Sequence, residues 1–351
     1  MKTKDFGLRL WNARKRMGMT QDELVAAIGG MISKNALSRY ERNEMMPRYP
    51  VLVALARVLE VQLEYFFRPS AISITEKDFR LKEDLPARER DRIPLAATEV
   101  LERILETEQL LGLEPRFVNP LQALPAIATA NEAEEAAQQL REAWNLGHQG
   151  LVDTYGMLGR HGIRVIELEA HEVFDGMKGM VNGHIPVIVV NAMMPADRKR
   201  FTVLHELAHL LLRFDPSLDA VKTERLCNRF SSAVLMPSEL LKGLLGGQRE
   251  ELSLQELIHI KNLHGTSLQM LVYRAVQLGY IRQPVVDRFK TFIQANIREE
   301  GLGRYEGSER VNYLEGLVLR AYHSRRITRS KAAELLNLEE RNLPVFFDVA
   351  W

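Results

Sequence analysis

The sequence predicts a multidomain, mainly α-helical protein: an all-α N-terminal bundle, a central α+β region with a small antiparallel sheet, and a helical C-terminal region. Three observations lead there. Short amphipathic stretches with capping residues crowd the first 68 positions. Two β-branched runs stand near the middle, followed directly by a helix-like run with an apolar stripe. A length of 351 residues is enough for more than one core. The expected segments are 1–68, a helical connector over 69–146, a central domain over 147–280 and a helical region over 281–351.

Composition narrows the classes. A hydrophobic fraction of 46% and a charged fraction of 26% are those of an ordinary globular protein. Net charge is only +1, but residues 1–68 hold 12 Lys/Arg against 7 Asp/Glu, so the first segment carries +5 and the remainder −4. A basic head on a near-neutral chain suggests one nucleic-acid-binding domain joined to something else. Cys227 is the single cysteine, which excludes an intramolecular disulfide, a cysteine-based zinc site and a cysteine-ligated cluster. The charged start "MKTKDFGLRLWNARKRMGM" lacks the apolar core of a signal peptide. The longest apolar run, "IPVIVVNAMMP", is too short to span a bilayer, so a cytoplasmic protein without a membrane partner is expected.

The head reads as five short helices. "FGLRLWNARKRM" is amphipathic and forms the first. Thr20 followed by Glu23 makes a capping box ahead of Leu24, Ala27 and Ile28, and Gly29–Gly30 stops that helix. Ser33 caps the next, with Ala36, Leu37 and Tyr40 inward and Lys34, Asn35, Ser38 and Arg39 outward. "PVLVALARVLEVQLEYFF" supplies the fourth and fifth. Two helices joined by a tight glycine turn within such a bundle describe a helix-turn-helix domain. A bundle serving only protein contacts would not concentrate basic and small polar donors on the helix after the turn.

In "MTQDEL", "LSRYER", Pro47 and "LARVLEV" the first 68 residues resemble the Xre (Cro/repressor) family. That resemblance implies that the helix capped by Ser33 enters the major groove of double-stranded operator DNA. Lys34, Asn35 and Ser38 would then reach base edges, while Gln21, Arg39 and Arg42 lie nearer phosphates. The chain departs from the family pattern in a turn two residues longer ("GGMI") and in Asn43 where glycine is frequent; Asn tolerates left-handed backbone. A homodimer is expected, since two half-sites multiply affinity.

The connector is mixed in charge and is expected to turn helical after Pro94. Leu95, Val100, Leu101, Ile104, Leu105 and Leu110 make its stripe, and "EAEEAAQQLREAWNLG" follows a proline-containing loop as a second helix. In the central region "GIRVIELEA" (162–170) and "IPVIVVNA" (185–192) read as two strands, with "VNGH" offering a turn between them.

"PADRKRFTVLHELAHLLLRFDP" follows as a helix, with Asp197 in its first turn and Asp215–Pro216 at its end. Phe201, Leu204, Leu207, Ala208 and Leu211 form the buried stripe, while His205 and His209 lie one turn apart on another face. Two imidazoles aimed at one point suit a zinc ion that takes a third protein ligand and leaves one position open. Glu206, next to the first histidine, is placed to serve as general base toward an activated water. The third ligand comes from downstream: Glu224, on the helix "KTERLCNRFSSAVLMP", is favoured over Asp215, Asp219, His259 and His264. A core histidine pair bonded to carboxylates is the plainer alternative, and metal binding without turnover another.

Residues 146–280, through "VIVVN", "RKRFTVLHELAHLLL", "ERLCNRFSSAVLMP" and "TSLQMLVYRAVQLGYI", are similar to the ImmA/IrrE family of zinc metallopeptidases. The resemblance implies a zincin-like domain with Zn2+ held by His205, His209 and Glu224 and with Glu206 as catalytic base. Cys227 stands where the family has a small alanine, a replacement expected to be harmless. Characterised members cleave Xre-type repressors, so a protein substrate of that kind is expected. The C-terminal "RITRSKAAELLNL" has Thr328 as a cap and Ala332, Ala333 and Leu336 inward, and "LPVFFDVAW" is apolar enough to dock.

Two functions are therefore expected of these parts. One is a DNA-binding transcription regulator whose zinc endopeptidase (a hydrolase) cleaves a repressor or partner protein. The other is a non-catalytic antitoxin or ligand-sensing repressor, as in toxin–antitoxin pairs, that uses the zinc domain to hold a toxin or a ligand.

Overall fold

The computed structural model describes residues 5–68, 85–114, 116–296, 299–305, 307 and 313–347. The N-terminal helices are α1 (Phe6–Arg16), α2 (Gln21–Ala27), α3 (Lys34–Glu41) and α4 (Tyr49–Val58), followed by a 3-10 turn at Leu63–Phe67. Next come α5 (Ala87–Leu111), α6 (Ala130–Ala143) and α7 (Thr154–Arg160), then strands β1 (Arg164–Leu168), β2 (Gly176–Val181) and β3 (Ile185–Asn191). The remaining helices are α8 (Ala196–Leu211), α9 (Ala220–Leu235), α10 (Ser238–Leu245), α11 (Leu254–His264), α12 (Leu268–Gln277), α13 (Gln283–Gln294), α14 (Tyr313–His323) and α15 (Arg329–Leu336). The chain is mainly helical, as its patterning predicts, and forms two compact units: residues 1–115 with 180–184 and 311–351, and residues 116–179 with 185–310.

In the first unit the predicted caps are in place. Thr20 and Glu23 form the reciprocal capping box of α2, and the Ser33 hydroxyl accepts from the Ala36 N–H to start α3. Gly29 and Gly30 both adopt left-handed backbone, at φ 72° and 67°, which two L side chains in succession would strain. Phe6, Leu10, Leu24, Leu37, Leu55, Leu59 and Phe66 close the core of the bundle. Asn43 is also left-handed, at φ 58°, and its Oδ1 accepts from the Gly7 N–H at 2.7 Å. Its side chain thus ties the end of α3 to α1, which a glycine would not do.

α5 differs from its expected form. It begins at Ala87 rather than after Pro94 and carries that proline inside the helix. The ring removes one backbone donor but leaves the preceding turn helical, and the helix is held by long-range ion pairs along its length. Arg9 of α1 makes a buried two-pronged contact with Glu102, including a 3.0 Å hydrogen bond, and Arg16 reaches Glu99 at 2.9 Å. On its other side α5 receives the C-terminal helices, through Lys331 to Glu106 at 2.6 Å and the Tyr313 hydroxyl to Glu108 at 2.8 Å. Thr328 caps α15 as predicted; Ala332, Ala333 and Leu335 are buried, and Leu336 is half-buried. Phe347 packs into the same cluster, while the last four residues of the apolar tail lie outside the described residues.

Truncating Glu102 leaves the Arg9 guanidinium buried without its carboxylate, so Glu102→Ala is expected to lower stability by about 3–5 kcal/mol. Denaturant unfolding measures this; an unchanged midpoint would contradict the role given to the pair. An apolar double replacement of Arg9 and Glu102 should recover most of the loss, because it also removes the charge left unpaired.

The second unit holds the sheet's β1 and β3, which run parallel from Arg164↔Val187 to Leu168↔Asn191. This corrects the antiparallel sheet expected from the two runs: the order is β1-β3-β2 and the sheet is mixed. The missing piece is β2, hidden in "GMKGMV", whose glycines lack β propensity. The interval between β1 and β3, residues 169–184, contains β2, so "VNGH" turns β2 into β3 rather than joining β1 to β3. Gly176 is required by packing, because a Cβ there would sit 2.8 Å from the Thr202 methyl of α8 and 3.1 Å from the Val189 carbonyl. All seven residues of β3 are buried, as suits a central strand covered on both faces.

α8 leaves β3 through Pro195 and buries Val203, Leu204, Leu207, Ala208 and Leu211, while α9, capped by Asp219, packs against both α6 and α8. One carboxylate locks this arrangement. Glu134 of α6 meets Arg274 of α12 at 2.6 Å and Arg229 of α9 at 2.6 Å. Arg274 is fully buried and also donates to the Met236 carbonyl at the end of α9, at 3.0 Å.

Candidate metal centre and DNA-facing helix

The α8 turn from His205 to His209 presents both imidazoles to the same point of α9. His205 Nε2 lies 2.9 Å from one Glu224 carboxylate oxygen and His209 Nε2 lies 3.1 Å from the other. The ligand atoms of His205, His209 and Glu224 fall within 4.8 Å of one another, the one such grouping of His, Cys, Asp and Glu among the described residues. Asp215, Asp219, His259 and His264, the competing third ligands, take no part in it. Two imidazole nitrogens and one carboxylate are a donor set that zinc accepts while keeping a further position open.

The surroundings bias the protons. Burial opposes a charge on His205, but the contact with Glu224 and the charge of Glu206 outweigh it, and the imidazole titrates above its ordinary range. The two imidazoles hold the Glu224 carboxyl far below the usual carboxylate range. Glu206 is half-buried, and burial raises its pKa against the pull of His205, His209 and Lys178. A carboxyl held above its ordinary value is a stronger proton acceptor than a free one.

Three neighbours of the site went unassigned by patterning. Lys178 of β2 donates to the His209 main-chain carbonyl near the end of α8, where helix carbonyls lack partners. Asn228 Oδ1 lies 2.9 Å from His205 Nδ1, and the buried Cys227 thiol lies 3.5 Å from His209 Nδ1. For the last two the signal was available in the spacing: Glu224, Cys227 and Asn228 stand at i, i+3 and i+4 of one helix. For Lys178 there was none, because its strand was not legible.

In the head, Ser33, Lys34, Asn35, Arg39 and Arg42 are exposed and Ser38 is half-buried. Lys34 pairs with Asp22 at 2.6 Å across the turn, and Arg42 pairs with Glu44 at 2.7 Å and with the Ser38 hydroxyl. Gln21 is the one drawn inward: its amide donates to Glu41 at 2.7 Å, on the carboxylate that also receives the Arg14 guanidinium. No helix among the described residues is long and apolar enough to cross a membrane.

Comparison with known proteins agrees with both halves. A helix-turn-helix family model matches residues 12–66, and the model for the IrrE N-terminal-like domain matches residues 158–276. The radiation response metalloprotease IrrE of Deinococcus deserti is 30% identical over 102 residues, covering 22% of this chain and 36% of that protein, so the match spans about a third of the relative's length. Among solved structures, the apo form of ComR from S. thermophilus aligns with 99% of this chain and 96% of its own, at 14% identity and a TM-score of 0.18. Residues 12–66 therefore match a helix-turn-helix family and residues 158–276 the IrrE N-terminal-like domain family.

Proposed function

We propose that the protein is a DNA-bound regulator whose second unit is a zinc endopeptidase acting on a repressor or partner protein. The observation that carries this reading is the convergence of His205, His209 and Glu224 with Glu206 on the adjoining position of α8. His205, His209 and Glu224 would hold zinc, which would supply Lewis acidity toward water and a peptide carbonyl. Glu206, next to His205 on α8, accepts the proton from the attacking water and delivers it to the leaving amine. Lys178 steadies the end of α8 that carries His209. The metalloprotease description of the Deinococcus relative supports the same chemistry.

The division of labour we infer assigns DNA binding to residues 1–68 and peptidase chemistry to 147–280, with 69–146 and 281–351 as supporting helical segments. Lys34, Asn35 and Ser38 face base edges in this reading, Ser33 starts the helix at the DNA, and Gln21, Arg39 and Arg42 lie toward phosphates. The protein acts as a homodimer on paired half-sites. Because phosphate contacts release counterions, operator affinity is expected to fall steeply and log-linearly with salt. A fluorescence titration over a salt series measures this; affinity independent of salt would contradict the assignment.

The test of the whole reading is incubation of the metal-loaded protein with helix-turn-helix repressors. Defined fragments are expected, and they should disappear when a chelator strips the metal. Fragments that persist in chelator would contradict the zinc mechanism. A tight complex with an uncut partner, unaffected by Glu206→Gln, would point instead to the antitoxin-like binding role.

A further inference from the structure

The helix that offers the third ligand also touches the far side of both imidazoles. Glu224 meets the two Nε2 atoms, while Cys227 and Asn228, one turn on, meet the two Nδ1 atoms. A ligating imidazole must present an unprotonated Nε2, which requires the proton on Nδ1 and an acceptor to keep it there. The two acceptors are unequal. The Asn228 amide oxygen is a strong acceptor at an ordinary hydrogen-bond distance of 2.9 Å. The Cys227 sulfur, 3.5 Å away, is a weak acceptor, and its thiol can equally donate.

We propose that Asn228 is a positioning residue that fixes the tautomer and ring orientation of His205, and that Cys227 leaves His209 the more loosely oriented of the two ligands. The inference rests on the metal-site reading above and adds to it: α9 supplies one ligand and the outer partners of both others. Loss of an outer partner characteristically weakens metal binding by about 10–100-fold, and the effect should therefore be large at Asn228 and small at Cys227.

The experiment uses the full-length protein with Co2+ as the probe, titrated against a competing chelator, together with 15N shifts of His205 in the metal-free protein at a pH above imidazole titration. Asn228→Ala is expected to lower Co2+ affinity about 10–100-fold. It should also shift His205 of the metal-free protein away from the Nδ1–H tautomer, which Asn228 accepts, toward the Nε2–H tautomer, which Glu224 accepts. Asn228→Asp, which keeps an acceptor at the same place, should restore both. Cys227→Ala should change affinity far less than Asn228→Ala, and the cobalt spectrum of the unaltered protein should show no thiolate-to-metal charge-transfer band. The proposal is overturned if both Asn228 variants bind Co2+ as the unaltered chain does and the His205 tautomer does not move. It is equally overturned if Cys227→Ala is the more damaging change. Should the unaltered protein bind no Co2+ while the tautomer still depends on Asn228, the metal reading fails and the orienting role stands.

Discussion

Glu206→Gln is expected to abolish detectable cleavage of a protein substrate while leaving metal content and fold unchanged. The substitution keeps shape and hydrogen-bonding capacity but removes the proton acceptor. General-base contributions of this kind are worth about 10²–10⁴-fold, so the loss should fall in or above that range. Metal retention follows from the geometry: the ligand atoms belong to His205, His209 and Glu224, and Glu206 is not among them. Parallel assays of metal stoichiometry and fragment formation separate the two effects. A variant that cuts at the native rate would show that Glu206 is not the base. A variant that loses the metal as well would show that the glutamate is part of the site's scaffold.

Glu134→Ala is expected to be the most destabilising single change in the second unit. Its carboxylate faces two guanidiniums, one of them on the fully buried Arg274, and ties α6 to α9 and α12. Removing it leaves both cations without their partner inside the protein, a change that costs about 3–5 kcal/mol. Because α9 also carries Glu224, metal binding should fall with stability even though Glu134 lies outside the ligand triad. The same carboxylate gives a pH signature. Burial raises its pKa, but the hydrogen bond from Arg274 and the charges of Arg274 and Arg229 outweigh this and hold it below the ordinary value. A depressed folded-state pKa stabilises above the unfolded value and loses that contribution as pH falls through the folded one. Unfolding free energy should therefore decline on acidification below the ordinary carboxylate range, with a smaller decline in Glu134→Ala. Equal acid slopes in the two proteins would contradict this account.

Local signals were legible in the sequence and long-range ones were not. The capping box at Thr20–Glu23, the Ser33 cap and the double glycine after α2 are interactions within a few residues, and each lies where its chemistry required. The histidine pair and the glutamate between them were visible for the same reason, since one helical turn fixes their common face. Glu224 was a choice among several acidic and histidine candidates, and the packing of α9 against α8 brings it to the two imidazoles. What the pattern could not carry depended on distant partners. β2 is a strand because Gly176 lets α8 approach closely, and glycine gives no strand signal. The parallel pairing of β1 with β3 depends on that missed strand. α5 runs straight through Pro94, the residue that seemed to mark its start, where long-range ion pairs to α1 and to the C-terminal helices outweigh one lost backbone bond. The Gln21 amide pairs with Glu41, a partner twenty residues on that the local pattern of α2 does not announce.

The most direct test is metal analysis of the purified protein beside His205→Ala and Glu224→Ala, each checked for native helix content. A bound divalent ion at one equivalent per chain, lost from both variants while their fold is kept, is the predicted result. Protein that is metal-free after purification and refuses added zinc, or variants that retain a full equivalent, would contradict the claim that these three side chains form the reactive centre.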